Sequence, residues 1–499
     1  MKKILTIILD GFGIRDEEDG NAIKEAKMNN FNKLWNEYPH SILGASEEAV
    51  GLKKGQMGNS EVGHSTIGAG KVLKQPEVLV DEFLADVDLE NEAVKELLAY
   101  KSKDIHLMGL CSDGNVHAGV DDFLAMYKFL VNKGFRKIHF HLITDGRDTG
   151  VNSAYSYIKL IEDMIKSTNI GDIATICGRY YAMDRDKNWE RIQKYYNLVI
   201  NGEGTRAQDI NDALQNSYRE EVTDEFIKPI LVSNHLIKNG DVLLWMNYRA
   251  DRSKQILSAL SIPDFNEFFV KDMSNLKIFT FFDVDSNVRA THFLEPATSK
   301  MPLGIYLSEL GLTQARVAES EKIAHVTYFF DNGYEGKINN CDKYHIPSPE
   351  VATYDLKPEM SAVGITRKLI DCMDKDYDFI LANFANPDMV GHTGDMDAAT
   401  KACMAVDICL GKLIEKAEDN FYKIILLADH GNADTMYNED HSKCTTHTLC
   451  KVPFIITDKK VKLKKEGTLA NVAPTILEYM DIALPKEMQD TPSLIENEE

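Results

Sequence analysis

The chain has 499 residues, more than one hydrophobic core normally supports, so two domains are expected. Hydrophobic residues make up 44% of it and charged residues 27%, the ordinary composition of a globular protein. The formal net charge of −22 argues against nucleic acid as a partner, because binding it requires a concentrated basic surface. An acidic protein can still bind an anionic ligand where cationic side chains are gathered in one pocket.

The N-terminal apolar run and the cysteines bear on where the protein works. Ile4–Leu9 ends at Asp10 and is too short for a signal sequence or a membrane span, so it predicts a buried strand. Eight cysteines form no CxxC pair, which is typical of reduced thiols. We therefore expect a cytoplasmic protein, a monomer, without membrane attachment.

Short apolar runs along the chain predict strands that are buried on both faces: Ile4–Leu9, Ile138–Ile143, Ile173–Cys177, Val242–Trp245, Leu276–Phe282, Phe379–Phe384 and Ile424–Leu427. Segments with helical spacing lie between them. In the clearest segment, apolar residues recur every three or four positions on one helix face: Met396, Ala399, Cys403, Val406 and Leu410. Alternating strands and helices predict an α/β fold with largely parallel sheets.

Two stretches rich in proline and short polar residues are candidate linkers, Lys71–Pro76 and Leu294–Pro302. The chemically distinctive residues described next lie before the first stretch and after the second. The simplest organisation is a discontinuous domain, residues 1–75 and 299–499, with a second domain inserted at 76–298.

Three predicted strands are followed by residues of the metal-binding type: Asp10 after the first, Asp388 and His392 after the sixth, and Asp429 and His430 after the seventh. Sites in open parallel sheets form beyond the carboxyl ends of strands, so these clusters are expected to converge. Asp388 and His392 would share one face of a helix, since they are four residues apart. His447 and His441 follow on a loop-like segment.

Each cluster taken alone has an ordinary alternative, a turn or a surface pair, but three at strand ends together favour metal binding. Mixed carboxylate and imidazole ligands suit manganese, zinc or cobalt better than magnesium or calcium.

The segment Gly55–His64 contains a candidate nucleophile, Ser60. We expect Ser60 where a loop enters a helix, a position at which free backbone N–H groups favour phosphate. A serine hydroxyl is a weak nucleophile until a base or a metal removes its proton. The alternative is that Ser60 merely caps the helix.

These segments together resemble the alkaline phosphatase superfamily, and from Ile8 to about Leu477 the chain resembles the cofactor-independent phosphoglycerate mutases. The resemblance rests on long and specific motifs: Gln56–His64, Ser112–His117, Thr144–Asp148, Gly178–Asp186 and Ser320–Lys322. It implies a discontinuous phosphatase-like metal domain and an inserted substrate-binding domain. One departure is Asn115, which stands where relatives commonly have glycine.

The resemblance also implies a role for each matching residue. Two Mn²⁺ sites, for which Zn²⁺ or Co²⁺ are possible substitutes, would be formed by Asp388, His392 and His447 and by Asp10, Ser60, Asp429 and His430. Lys322 would offset the phosphate charge. The substrate would be held by His117, Arg147, Asp148, Arg179, Arg185, Arg249 and Arg252, since arginine binds carboxylate and phosphate bidentately.

The implied reaction is the interconversion of 3-phosphoglycerate and 2-phosphoglycerate in glycolysis and gluconeogenesis, without bisphosphoglycerate. Ser60 would carry the phosphoryl group, Asp148 would exchange the hydroxyl protons with help from His117, and closure between the domains would be part of the cycle. Rival hypotheses are a phosphatase, a phosphodiesterase or a pentose-phosphate mutase on the same metal core. A binding protein that only senses phosphoglycerate is a rival of another class.

Overall fold

A computed structural model describes residues 2–496. The chain forms two compact units: Met1–Lys74 with Ala297–Glu499, here called the discontinuous unit, and Gln75–Pro296, the inserted unit. No helix within the described range is both long enough and apolar enough to cross a membrane.

The strands are, in chain order, β1 Lys3–Leu9, β2 His40–Gly44, β3 Ile105–Leu110, β4 Ile138–Thr144, β5 Asp172–Gly178, β6 Thr205–Arg206, β7 Ile230–Leu231, β8 Val242–Trp245, β9 Lys277–Thr280, β10 Thr291–His292, β11 Gln314–Glu319, β12 Cys341–Ile346, β13 Phe379–Phe384, β14 Tyr422–Leu427, β15 Val452–Ile456 and β16 Glu466–Thr468.

The helices are α1 Ala22–Glu25, α2 Asn29–Glu37, α3 Ser60–Ala69, α4 Pro76–Ala85, α5 Glu92–Leu98, α6 Val120–Asn132, α7 Ala154–Thr168, α8 Arg179–Ala182, α9 Trp189–Asn201, α10 Ile210–Arg219, α11 Lys254–Ser261, α12 Leu303–Glu309, α13 Ala362–Asp374, α14 Asn386–Gly391, α15 Met396–Asp419 and α16 Val472–Tyr479. Short 3₁₀ segments occur at Glu47–Val50, Asp224–Phe226, Tyr354–Leu356, Leu469–Asn471 and Lys486–Met488, and a π-helical turn at His325–Phe329.

The sheet of the discontinuous unit has the strand order β12-β11-β13-β1-β14-β15-β2-β16. Strand β1 lies at its centre and pairs in parallel with β13 and β14, although both are more than 350 residues away along the chain. Its residues Ile4–Leu9 are buried on both faces, which explains why they read as an unbroken apolar run. Strand β15 is antiparallel to both of its neighbours.

The sheet of the inserted unit has the order β10-β9-β8-β3-β4-β5-β7-β6. Its central strands are parallel, and β7 runs antiparallel to β5. Apolar residues on its two faces form separate buried clusters, one centred on Phe140 and Leu244 and the other on Trp245 and Tyr195. The carboxyl ends of β3, β4, β5 and β8 therefore share one edge of the sheet.

The predicted α/β fold class with largely parallel sheets is confirmed. All seven predicted strands are present, and the predicted helix face lies on α15, where Ala399, Cys403 and Val406 are fully buried. Strand β12 was not predicted because it is an edge strand whose exposure alternates, so it carries several charged and polar residues.

Candidate active site

Ser60 is the first residue of helix α3 and does not cap it. The side chain of the preceding residue, Asn59, accepts a hydrogen bond from the backbone N–H of Val62 at 3.0 Å and so fills the capping role. The interpretation of Ser60 as a simple helix cap is therefore wrong. Its hydroxyl is free to face other groups at a helix N-terminus, where the backbone favours an anion.

The Ser60 hydroxyl lies among three charged or titratable side chains. Lys322 Nζ donates to Ser60 Oγ at 2.6 Å, and His430 Nε2 is 2.9 Å from the same oxygen. Ser60 Oγ donates to Asp10 Oδ1 at 3.2 Å. The four side chains are at least nine-tenths buried, so the hydroxyl sits in a fixed polar pocket.

A second cluster joins Asp388, His392 and His447. The Nε2 atoms of the two histidines are 3.1 Å apart and lie 3.2 and 3.3 Å from Asp388 Oδ1. His392 Nδ1 lies 2.7 Å from the carbonyl of Thr445, and His447 Nδ1 lies 2.8 Å from that of Gly58. Donation from Nδ1 to a carbonyl leaves each Nε2 with its lone pair facing the carboxylate, which is the arrangement that metal-binding histidines require.

Strand pairing and one glycine bring the two clusters together. Asp10 N–H donates to the carbonyl of Phe384, so the loop after β1 follows the loop after β13. Gly11 has φ +77°, and a Cβ there would come within 2.7 Å of the backbone of Asp388. Lys322 Nζ donates to both Asp10 Oδ1 and Asp388 Oδ2, at 3.0 and 2.7 Å, and so links the clusters.

The surroundings of Asp429 bear on whether the first cluster, the one around Ser60, can bind a cation. Both of its carboxylate oxygens are buried and have no hydrogen-bond partner of good geometry, although His64 Nδ1 lies 3.1 Å from Oδ2. Such orphaned anionic oxygens are costly unless a cation accepts them. Asp429 Oδ2 is 3.7 Å from His430 Nε2, which itself is 3.3 Å from Asp10 Oδ1. The donor set, two carboxylates, an imidazole and a hydroxyl, has the chemistry that divalent metal ions bind. The three-residue groups with ligand spacing here are Asp10, His64 and Asp429, and Asp10, Asp388 and His430.

The charges of the site also require cations. The carboxyl groups of Asp10, Asp388 and Asp429 are gathered around the ammonium of Lys322, which contacts Asp10 and Asp388 directly. Burial lowers the pKa of Lys322, but the three carboxylates outweigh it and hold that pKa well above its usual range. Burial likewise opposes ionisation of Asp10, yet Lys322 holds its pKa below the usual range. A phosphate would be repelled here unless metal ions were bound as well.

Two asparagines that the sequence did not single out orient these carboxylates. Asn383 Nδ2 donates to Asp10 Oδ2 at 2.7 Å, and Asn432 Nδ2 donates to Asp388 Oδ1 at 2.8 Å. Asn383 lies inside the apolar strand β13, where a buried amide is unusual enough to have signalled a role. His441 lies in an exposed turn with φ +60° and belongs to neither cluster.

In the inserted unit, Arg179 is buried between two carboxylates at the ends of β4 and β5. Its Nη1 donates to Asp145 Oδ1 at 2.7 Å and to Asp148 Oδ2 at 2.5 Å. Asp145 also accepts from Ser112 Oγ and from the backbone N–H groups of Arg147 and Asp148. Asp145 therefore fixes both the loop and the guanidinium, a role that the sequence prediction missed although the residue lies within the quoted motif.

The remaining predicted substrate residues lie around Arg179 and its two carboxylate partners. Burial lowers the pKa of Arg252, and repulsion from Arg179, Arg185 and Arg147 lowers it further, so these four guanidinium groups lie close enough to interact. Arg185 donates to Asp251 at 3.2 Å, whereas Arg147 and Arg249 are exposed. Such a concentration of arginine in an acidic protein fits an anionic ligand.

His117 is buried beside these arginines, and its Nδ1 has no hydrogen-bond partner among the described residues. Burial and the positive charges of Arg179 and Arg249 lower the pKa of His117 to about 4, so the ring is neutral near pH 7. In the loop that leads to it, Asn115 has φ +50°, a left-handed conformation that asparagine tolerates.

Comparison with known proteins gives full-length matches. The Metalloenzyme superfamily matches residues 2–484. Relatives named 2,3-bisphosphoglycerate-independent phosphoglycerate mutase include one from Clostridium novyi (strain NT), 44% identical over 98% of both chains. Another, from Bacteroides thetaiotaomicron, is 43% identical with the same coverage. The chain belongs to this phosphoglycerate mutase family. A solved structure of Leishmania mexicana phosphoglycerate mutase at low cobalt concentration has a TM-score of 0.69 and 28% identity, covering 100% of this chain and 98% of that one.

Membership of the phosphoglycerate mutase family confirms the resemblance on which the site residues were assigned. It also makes the chain an enzyme of the isomerase class within a metalloenzyme superfamily. The individual ligand and substrate roles stay predictions, and the geometry above is the basis on which they are argued below.

Proposed function

We propose that the enzyme interconverts 3-phosphoglycerate and 2-phosphoglycerate, in glycolysis and gluconeogenesis, through a phosphoserine at Ser60. The observation that carries the proposal is the setting of the Ser60 hydroxyl. It lies at a helix N-terminus, accepts a hydrogen bond from Lys322 at 2.6 Å, and faces Asp10 and His430 at 3.2 and 2.9 Å. A hydroxyl with these neighbours is placed to lose its proton and to accept a phosphoryl group.

In the first half-reaction, Ser60 Oγ releases its proton to solvent and bonds to phosphorus as the bond between phosphorus and the 3-oxygen of the glycerate breaks. The 3-oxygen takes up a proton from Asp148. Lys322, which already contacts Ser60, offsets the negative charge of the phosphoryl oxygens throughout.

In the second half-reaction, the 2-hydroxyl of the same glycerate gives its proton to Asp148 and attacks the phosphoserine. The bond to Ser60 Oγ breaks, and Oγ takes a proton back from solvent. This requires glycerate to stay bound while the phosphoryl group is on the enzyme. The arginines, with neutral His117, would hold its carboxylate during that interval. Without such retention, water would take the phosphoryl group and the enzyme would be a phosphatase.

Two divalent ions would be held by the two clusters: one by Asp388, His392 and His447, the other by Asp10, Ser60, Asp429 and His430. We propose Mn²⁺, with Zn²⁺ or Co²⁺ as possible substitutes, because the donors are mixed oxygen and nitrogen. Bound there, such ions supply positive charge that lowers the pKa of a coordinated hydroxyl and stabilises phosphoryl oxygens. No bisphosphoglycerate takes part.

The decisive experiment is to quench the enzyme during turnover of 3-phosphoglycerate with Mn²⁺ and to locate covalent phosphate by mass spectrometry. We expect phosphate on Ser60. Ser60→Ala should lose at least about 10⁴-fold in isomerase activity, because the nucleophile itself is removed.

The matched control for Ser60→Ala is Ser65→Ala. Ser65 lies on the same helix, and its hydroxyl donates to the carbonyl of Phe329 at 3.2 Å, away from Ser60. Activity close to that of the wild type is expected for this control. Phosphate found on a histidine, or full activity in Ser60→Ala, would refute the phosphoserine mechanism.

A further inference from the structure

A cluster of histidine and aspartate lies at the other edge of the inserted sheet, where the strands begin. His139 is the second residue of β4, Asp172 is the first residue of β5, and His235 follows β7. The predicted substrate residues follow the opposite ends of β4 and β5, so one strand length, about 20 Å, separates the two places. The phosphoryl-transfer mechanism does not use this cluster.

The three side chains converge on one point. His139 Nδ1 lies 2.5 Å from Asp172 Oδ1, and His235 Nδ1 lies 3.0 Å from Asp172 Oδ2. The two imidazole rings stack with centroids 4.3 Å apart and planes 22° apart, so both direct Nδ1 toward the same carboxylate. All three ligand atoms lie within 4.8 Å of one another, a spacing that one metal ion with bonds of about 2.0–2.2 Å can bridge after small shifts.

A second carboxylate, that of Asp104, contacts the ring nitrogen of His139 that faces away from Asp172. His139 Nε2 lies 3.1 Å from Asp104 Oδ1, so its ring is held between Asp104 and Asp172. Donation from Nε2 to Asp104 leaves Nδ1 as the ligand atom, the carboxylate–histidine–metal arrangement common around bound metals. His235 is more than half exposed, which leaves an open path from solvent to the cluster.

Two neighbouring histidines, His106 and His141, are not candidates, because both are deeply buried and one ring nitrogen of each faces the other ring. His106 Nδ1 and His141 Nε2 are 2.9 Å apart, and His141 Nδ1 lies 2.8 Å from Thr175 Oγ1. The remaining nitrogen of His106 faces Asp241 at 3.2 Å. These contacts leave His139, Asp172 and His235 as the set with access to solvent.

We propose that His139, Asp172 and His235 form a third metal site, separate from the phosphoryl-transfer centre, for one divalent ion of the zinc type. Two imidazoles and one carboxylate are the donors that Zn²⁺ binds well, and water would complete the tetrahedron. Magnesium and calcium prefer all-oxygen ligands and fit this site poorly. An ion here would join the starts of β4 and β5 to the segment after β7, and so would act on the stability of the inserted unit.

The test is metal content per chain after dialysis of the full-length enzyme against excess Zn²⁺, with His235→Ala compared with wild type. His235 is exposed, so its removal should leave the fold intact. We expect His235→Ala to bind one zinc fewer per chain. The matched control is His292→Ala, another histidine of the inserted unit that pairs with a carboxylate, Glu295 at 2.9 Å. Within residues 2–496 it belongs to no three-ligand group, so this variant should bind as much zinc as wild type.

Mutase activity with Mn²⁺ gives the second readout. Wild-type activity in His235→Ala together with the loss of one zinc supports a separate site. Equal zinc in His235→Ala and wild type would overturn the proposal and leave the cluster as a hydrogen-bonded group. Loss of one zinc with a parallel loss of activity would also overturn it, because the missing ion would then belong to the Ser60 centre.

Discussion

His430 and His117 each follow the carboxyl end of a parallel strand, one in each unit, but their electrostatic surroundings are opposite. Burial opposes protonation of both. Around His430, however, Asp429, Asp10 and Asp388 outweigh burial and raise the pKa to about 10. Around His117, Arg179 and Arg249 add to burial and lower the pKa to about 4. The discontinuous unit thus gathers negative charge for metal ions, and the inserted unit gathers positive charge for an anion.

The comparison shows that two sheets of similar architecture can have loops of opposite charge. In both units the residues concerned follow the carboxyl ends of parallel strands, the usual place for a site in such sheets. What differs is the set of side chains in those loops. An acidic protein can therefore bind an acidic substrate, provided that metal ions neutralise one unit's loops and arginines line the other's.

The largest expected effect comes from removing a charge from the metal-binding side. Asp388→Asn keeps the shape but removes the carboxylate shared by His392, His447 and Lys322. We expect Mn²⁺ affinity and mutase activity to fall by more than about 100-fold. Metal content after dialysis and activity at several Mn²⁺ concentrations are the measurements.

Asp397→Asn is the matched control for Asp388→Asn, since Asp397 is exposed on the nearby helix α15. Chelation of wild type should likewise abolish activity, and added Mn²⁺ should restore it. Full activity in chelated, metal-free enzyme would show that the carboxylates serve some purpose other than metal binding.

An intermediate effect is expected from the anion-binding side, and Arg249 is the best residue to change. Arg179 is buried between Asp145 and Asp148, so its removal would leave two carboxylates unpaired and disturb the fold. Arg249 is exposed. Arg249→Ala should lower the mutase rate by about tenfold to 100-fold, the cost of a charge-assisted hydrogen bond, and lower phosphate release much less.

The measurement for Arg249→Ala is the ratio of 2-phosphoglycerate formed to inorganic phosphate released from 3-phosphoglycerate. Arg219→Ala, a change at an exposed arginine that contacts Asn216, is the control and should keep the wild-type ratio. An equal fall of both products in Arg249→Ala would argue against a role in retaining glycerate.

The last effect concerns stability rather than activity, and it comes from a buried carboxyl in the discontinuous unit that is less well compensated than Asp10. Glu319 Oε2 accepts from Ser348 Oγ at 2.8 Å, and Oε1 has no hydrogen bond. Burial raises the pKa of Glu319 from 4.5 to about 7, although Ser348 and Lys322 pull it down. Lys322, which contacts Asp10 directly, keeps that carboxylate ionised despite its burial.

Because the pKa of Glu319 is higher in the folded chain than in the unfolded chain, the free energy of unfolding should depend on pH. Below pH 4.5 Glu319 is protonated in both folded and unfolded chains, so it imposes no cost. As the pH rises to 7, Glu319 loses its proton in the unfolded chain first. The free energy of unfolding therefore falls by up to about 3 kcal/mol. Glu319→Gln should therefore unfold at a higher temperature than wild type at pH 8 and show a smaller gain at pH 5. Glu309→Gln, a change at an exposed residue at the end of α12, should leave the unfolding temperature unchanged at both pH values. Equal gains for Glu319→Gln at pH 5 and pH 8 would contradict the assignment.

The sequence predicted those parts of the molecule in which local pattern and chemistry coincide. Apolar runs predicted seven strands, although the buried interior strands β3 and β11 were missed. The four-residue spacing of Asp388 and His392 predicted one helical turn, and the structure has Asp388 on α14 and His392 as its C-cap. The sequence did not reveal the partners that orient the ligands. Asn383 and Asp145 act through contacts with distant residues, Asp10 and Arg179, and no local spacing encodes such contacts.

The central position of β1 has a consequence for biosynthesis. This strand is made before the rest of its sheet, and its two neighbours, β13 and β14, are more than 350 residues further along the chain. The inserted unit, by contrast, is continuous in sequence and contains all of its own strands. Contacts between distant segments form slowly, and domains tend to fold in the order of their synthesis. The inserted unit is therefore expected to fold while β1 still lacks its partners, which makes Ile4–Leu9 the segment most in need of protection from aggregation in the nascent chain.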